Sequence, residues 1–293
     1  MLELTPPSPR PIALGAWVRG FPTDPDSMDR YRRLTGHEPA VVHLFRNWTD
    51  ATGTFDPVLA DGIVATGAVP MISWQPPAGD LAAVARGERD AYIRAYAAAV
   101  AAWAGRLLLR PAHEMNGEWI PWRSDPGSFR DAWHRLRAIF AEEGATNAAW
   151  VWSPHVIDRR AADFAPFFPG ADVVDWLALD GYNWGRSHRS SRWRSFDAIF
   201  ADSYRRITAL GPAKPVMLAE IGCAEEGGDK AAWIRGALLD AVPARYAAVR
   251  AVVWFHDAPA GHADWRIDSS PAAQQAWREV VRSPAYAGRI GAS

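Results

Sequence analysis

Short, almost continuously apolar runs alternate along this chain with longer stretches whose apolar residues recur every three or four positions. The runs occupy residues 13–18, 40–45, 69–74, 107–110, 148–152, 176–180, 216–221 and 251–255, each bounded by Gly, Pro, Asp or Asn. A strand that is apolar at nearly every position is covered on both faces, as in a parallel sheet. Between them lie predicted helices. Residues 90–104 hold no Gly or Pro and set Ile93, Ala97 and Val100 on one face, and residues 128–143 do the same with Phe129, Trp133, Leu136 and Phe140. Residues 195–210 and 229–239 repeat the pattern, with Asp229 as an N-cap. Residues 158–175 read as a loop with at most a short helix.

Strand–helix alternation of this kind makes a parallel sheet, and eight repeats in 293 residues fit one closed (β/α)8 TIM barrel of α/β class, a single domain over residues 1–293. An open doubly wound sheet would carry a glycine-rich phosphate loop after its first strand. Here that strand is followed by Arg19-Gly20-Phe21-Pro22-Thr23, which is not such a loop. In a barrel the chemistry sits where strands end, so eight short windows deserve the search.

Composition narrows the partner. A net charge of -1 without a Lys/Arg block argues against nucleic acid or an anionic membrane, and a neutral ligand fits better. No apolar run approaches the roughly 20 residues of a membrane span. Cys223 is the single cysteine, which excludes an internal disulfide and a cysteine-based zinc site. Residues 1–10 show no export signal, and a monomer is expected. Tryptophan is abundant, 16 residues against 7 Tyr and 11 Phe. Most should fill the core, but Trp17, Trp48, Trp74, Trp152, Trp184 and Trp254 adjoin strand ends, where an indole can stack on the C–H face of a sugar.

The strand ends carry two carboxylates in particular. The fourth run leads into Arg110-Pro111-Ala112-His113-Glu114-Met115-Asn116-Gly117-Glu118-Trp119, and the seventh contains Ala219-Glu220-Ile221-Gly222. Glutamates on strands four and seven would project into one mouth from opposite sides. Glycosidic cleavage needs such a pair, one protonated to release the leaving oxygen and one ionised to attack the anomeric carbon. Asp180, before Gly181, is read as a structural residue holding its loop, and Glu118, Glu225 and Glu226 as solvated charges.

The stretch R-P-x-H-E-x-x-G-x-W resembles the acid/base motif of glycoside hydrolase family 26, the retaining β-mannanases and related endo-β-glycanases. Residues 219–222 (A-E-I-G) look like that family's nucleophile strand, and M-I-S-W-Q-P at 71–76, D-G-Y-N-W-G at 180–185 and D-W-R-I-D at 264–268 fall in the same order. The resemblance implies Glu114 as acid/base, Glu220 as nucleophile, and Tyr182 as a hydrogen-bond donor to the nucleophile. It also implies that His113 binds the sugar, that Trp119, Trp254 and Trp74 wall the subsite, and that Arg110 braces it. Asn183 and Trp184 complete the expected binding set. The implied substrate is a neutral β-linked polysaccharide or oligosaccharide, first β-1,4-mannan, with mixed-linkage β-glucan or β-1,3-xylan as alternatives. No metal or cofactor is expected, since neither H-E-x-x-H nor H-x-H stands at these sites. A metal-dependent barrel hydrolase and a non-catalytic sugar-binding barrel are the competing readings.

Overall fold

The computed structural model describes residues 11–24 and 26–290. Residues 1–10, on which the expectation about an export signal rests, lie outside them. Eight parallel strands close into a barrel in chain order. They are β1 Ala13–Val18, β2 Val41–Asn47, β3 Val69–Gln75, β4 Leu107–Pro111, β5 Ala148–Trp152, β6 Trp176–Asn183, β7 Val216–Cys223 and β8 Val249–His256. The helices are α1 Asp26–Thr35, α2 Pro57–Val64, α3 Asp80–Ala85, α4 Asp90–Ala102, α5 Pro126–Glu142, α6 Phe196–Leu210, α7 Lys230–Ile234, α8 Val242–Arg245 and α9 Pro271–Arg282. Among the described residues no helix is long and apolar enough to cross a membrane.

Local chemistry sets most helix starts. Asp56, Asp125 and Ser270 each cap a helix that opens on proline, whose missing N–H costs nothing there. Asp229 accepts from the N–H of Ala232, as its position implied. The helix expected over residues 229–239 is interrupted, however. After Ile234 the chain widens into π-helical turns over Arg235–Ala241 before α8. Pro243 has no N–H to give the carbonyl four residues back, so a regular ladder cannot run through it. Between β5 and β6 two 3-10 turns, Ala165–Phe167 and Ala171–Val173, stand where a helix would be.

Registered strand residues share a face, and this divides the core in two. Ala13, Val41, Met71, Leu108, Val151, Ala178, Met217, Ala251 and Val253 point inward and fill the lower barrel. The alternate residues, with the inner faces of the helices, form the larger layer outside the sheet. One step above the inward apolar layer the same faces turn polar, with His43, Ser73, Arg110, Ser153 and Asp180, all buried. Strands β6 and β7 run on past Asp180 and Glu220, so both carboxylates belong to the barrel interior.

Candidate active site

The centre of the polar layer is Arg110, fully buried on β4. One guanidinium nitrogen donates to Glu220 Oε1 at 2.7 Å and to Ser73 Oγ at 2.8 Å, and the other to Asp180. Ser73 also bonds His43 at 2.7 Å, and Ser153 donates to Asp180. Asp180 is therefore an ion-pair partner beneath the site, which corrects its expected role in the loop before Gly181. Arg110 reaches no solvent, so it braces Glu220 and is not a substrate contact.

Glu220 owes its inward direction to an irregularity. The β6–β7 register passes from Leu179↔Leu218 to Asp180↔Glu220, leaving Ala219 as an extra residue. Simple alternation would send Glu220 outward with Leu218; the bulge returns it to the interior. Its second oxygen accepts from the Tyr182 hydroxyl at 2.6 Å. Gly222 makes room for this arrangement, since a Cβ there would lie 3.0 Å from the Tyr182 ring and 3.1 Å from Trp265.

Glu114 lies beyond β4 in a tight turn. It and Ala112 have left-handed backbone conformations, φ 53° and 45°, which L-residues seldom adopt. The turn is held by the Glu114 N–H on Ser153 O at 2.7 Å and by the Gly117 N–H on Glu114 O at 2.8 Å. The Trp119 indole donates to Glu114 Oε2 at 2.6 Å while lying across Gly117, where a Cβ would come within 2.7 Å of the ring. The spacing E-x-x-G-x-W thus encodes one physical unit. Burial raises the Glu114 pKa, opposed by His155; the negative charge of Glu220 raises it further.

His113 is buried with its ring against Phe45 and Trp122 and with Nδ1 unpartnered. Burial, then the charge of Arg110, holds its pKa well below the usual histidine range, so it presents a neutral imidazole. Trp119 is 38% exposed at the mouth, edge-on to His155. Trp184 stands on the rim beside Trp265.

Three expected contacts are elsewhere. Trp74 and Trp254 are each 0% exposed, on the outward faces of β3 and β8. Trp74 packs among Trp48, Tyr92 and Tyr96, and Trp254 between Trp233 and Trp277. Neither can wall a sugar subsite, because each is one residue out of step with the inward positions Ser73 and Val253. Asn183 fails for the same reason. It faces out from β6, donates to Cys223 Sγ, and accepts from the N–H groups of Gly185 and Arg194, anchoring the rim loop. The aromatic positions at the mouth are instead Trp17, stacked on Phe255 at 4.5 Å and 7°, with Phe45 against both. Trp265 packs on Tyr182. Counting by twos up each strand from its apolar inward residues reaches Phe45 and Phe255. His155 and Trp265 lie in loops, where no periodicity points to them. Among the described residues, no group of three or more His, Cys, Asp or Glu side chains is placed to hold a metal ion.

Comparison with known proteins places this geometry in a family. The family described as Glycosyl hydrolase family 26 matches residues 84–238. Endoglucanase H of Acetivibrio thermocellus is 34% identical over 279 residues, which is 92% of this chain and 30% of that protein. Mannan endo-1,4-beta-mannosidase A and B of Caldalkalibacillus mannanilyticus is 33% identical over 126 residues, 40% of this chain and 21% of that protein. The chain thus spans less than a third of the length of either relative. A β-mannanase structure from Bacteroides ovatus superposes with a TM-score of 0.70 at 19% identity, covering 94% of this chain and 90% of that one, and shares the barrel fold. The family match across more than half of the chain settles the assignment: the chain belongs to glycosyl hydrolase family 26.

Proposed function

We propose that this chain is a retaining hydrolase of a neutral β-linked polysaccharide, first an endo-β-1,4-mannanase, working by double displacement. The observation that carries the reading is the unequal environment of two buried glutamates in one mouth. Glu114 sits under an indole donor with its pKa raised, suited to give a proton to the leaving oxygen. Glu220 is ion-paired with Arg110 and takes a hydrogen bond from Tyr182, two donors that aim it at one point. In the first step Glu220 attacks the anomeric carbon, the glycosidic C–O bond breaks, and the Glu114 proton leaves with the aglycone. In the second, Glu114 takes a proton from water, which displaces Glu220 and releases the sugar with its configuration retained. His113 can meet a sugar hydroxyl only through Nε2, since its Nδ1 is sealed from solvent, and Trp119, Trp17 and Phe255 offer apolar faces.

A second substrate, β-glucan, is favoured by one finding. The relative aligned over 92% of the chain is named an endoglucanase, whereas three mannanase relatives align over 26–40% of it. Incubating the protein with mannan, mixed-linkage β-glucan, β-1,3-xylan and cellulose, and sizing the products, decides between them. Release of short oligosaccharides from mannan supports the first reading and release from β-glucan alone the second. Release from none removes both.

The two tryptophans outside the barrel give a control. Trp254→Phe should lower the melting temperature and leave KM within about twofold, since it opens a core gap worth roughly 1–3 kcal/mol. Phe255→Ala, one residue on, should raise KM at little cost in stability. The opposite pattern in thermal melts and kinetics would return Trp254 to the cleft.

Protonation supplies a further check. Because the charge of Glu220 raises the Glu114 pKa, Glu220→Gln should lower it, and never raise it. A carboxyl signal of Glu114, followed by carbon NMR through the titration, should move to lower pH in the variant. An unchanged or higher midpoint would mean the two groups are not coupled.

A further inference from the structure

Lys230, the first residue of α7, is a buried cation that the proposed reaction does not use. Its ammonium donates to Asp264 O at 3.0 Å, Arg266 O at 2.7 Å and Ser269 Oγ at 2.8 Å. Three protons thus meet three acceptors, the full capacity of the group. All three belong to the loop between β8 and α9. Ser269 passes the connection on by donating to Glu225 Oε1 at 2.6 Å, in the loop after β7. Glu225 is therefore not the free solvated charge its sequence position suggested.

The clamped loop carries Trp265. Its N–H bonds Asp257 O at 2.8 Å and its carbonyl accepts the Trp254 indole at 2.7 Å. Its ring lies 4.9 Å from that of Tyr182, the donor to Glu220. We propose that Lys230 is a positioning residue: by latching the β8–α9 loop it holds Trp265 against Tyr182, and so holds the hydroxyl that orients the nucleophile. Burying an ammonium is costly, and here that cost is offset by three loop acceptors that an apolar side chain of equal length would leave without a donor. Burial brings the Lys230 pKa down to about 8, against the pull of Cys223, Glu225, Asp264 and Glu226, so the group keeps three donors at neutral pH.

The inference rests on the proposed hydrolysis for its kinetic half only. Lys230→Met and the milder Ser269→Ala should be compared with the wild-type protein by amide hydrogen exchange over residues 264–269 and by kcat and KM on whichever glycan it cleaves. Exchange in the loop should quicken at least tenfold in Lys230→Met. There kcat should fall about tenfold or more, as a displaced reacting group implies, while KM changes less than threefold. Ser269→Ala should move both readouts in the same direction by less, and it carries the test if Lys230→Met does not fold. Unchanged loop exchange would overturn the latch. Faster exchange with unaltered kcat, or a loss confined to KM, would overturn the positioning role. A wild-type protein that cleaves no glycan would defeat the proposed function while the exchange measurement still decided the latch.

Discussion

Glu114→Ala is expected to spare the first half of the reaction and cripple the second on a substrate whose leaving group is already acidic, such as a dinitrophenyl β-glycoside. That group departs without a proton, so Glu220 can still displace it. Water then lacks its base, the glycosyl-enzyme accumulates, and a burst of dinitrophenolate should precede turnover slowed by about 10²–10⁴-fold. Azide needs no base. Added azide should restore turnover and yield the β-glycosyl azide by attack on the side that Glu114 faces. Glu220→Ala should show no burst, and any azide product should be the α-anomer, formed by direct attack through the space the carboxylate left. These outcomes follow from one carboxylate on each side of the anomeric carbon. Anomers exchanged between the two variants would mean the roles are reversed, and two fully active variants would move the chemistry elsewhere.

What could be read from the sequence depended on whether a local rule or a packing decision fixed the residue. The barrel was legible because both periodicities are local, and β1 and β5 match their predicted limits residue for residue. Glu114 was legible because the turn that bears it is encoded contiguously, down to the glycine that makes room for Trp119. The tryptophans were not, because nearness to a strand end says nothing of which face a residue takes. Trp74 and Trp254 lie at the right height on the wrong side of the sheet. Alternation would have excluded both, yet the same alternation applied to β7 would have excluded Glu220 as well. Only the bulge at Ala219 brings it inward, and that bulge is set by pairing with β6. The pairing of Arg110 with Asp180 is likewise invisible in one strand, since 70 residues separate its partners.

That shared arginine leads to the largest expected effect on stability. Arg110→Met keeps much of the volume and removes the only cation bonded to Asp180 and Glu220 among the described residues. Two carboxylates would then stay buried without their common donor. Breaking a buried ion pair from one side costs about 3–5 kcal/mol, far more than an intact pair contributes. At about 2–4 °C per kcal/mol for a large domain, the melting temperature should drop by about 10 °C at neutral pH. The deficit should shrink on acidification, because protonated carboxyls need no cation. Adding Asp180→Asn to Arg110→Met should recover part of the loss by removing one of the stranded charges. Arg110→Lys should divide the two functions of the site. A single ammonium can neutralise charge, but it cannot hold the fork that spans Glu220, Ser73 and Asp180. Stability should therefore return further than activity, with kcat remaining depressed after the fold is secure. If Arg110→Met melts with the wild-type protein, or if lysine restores both properties together, the guanidinium is not what couples the barrel interior to the nucleophile.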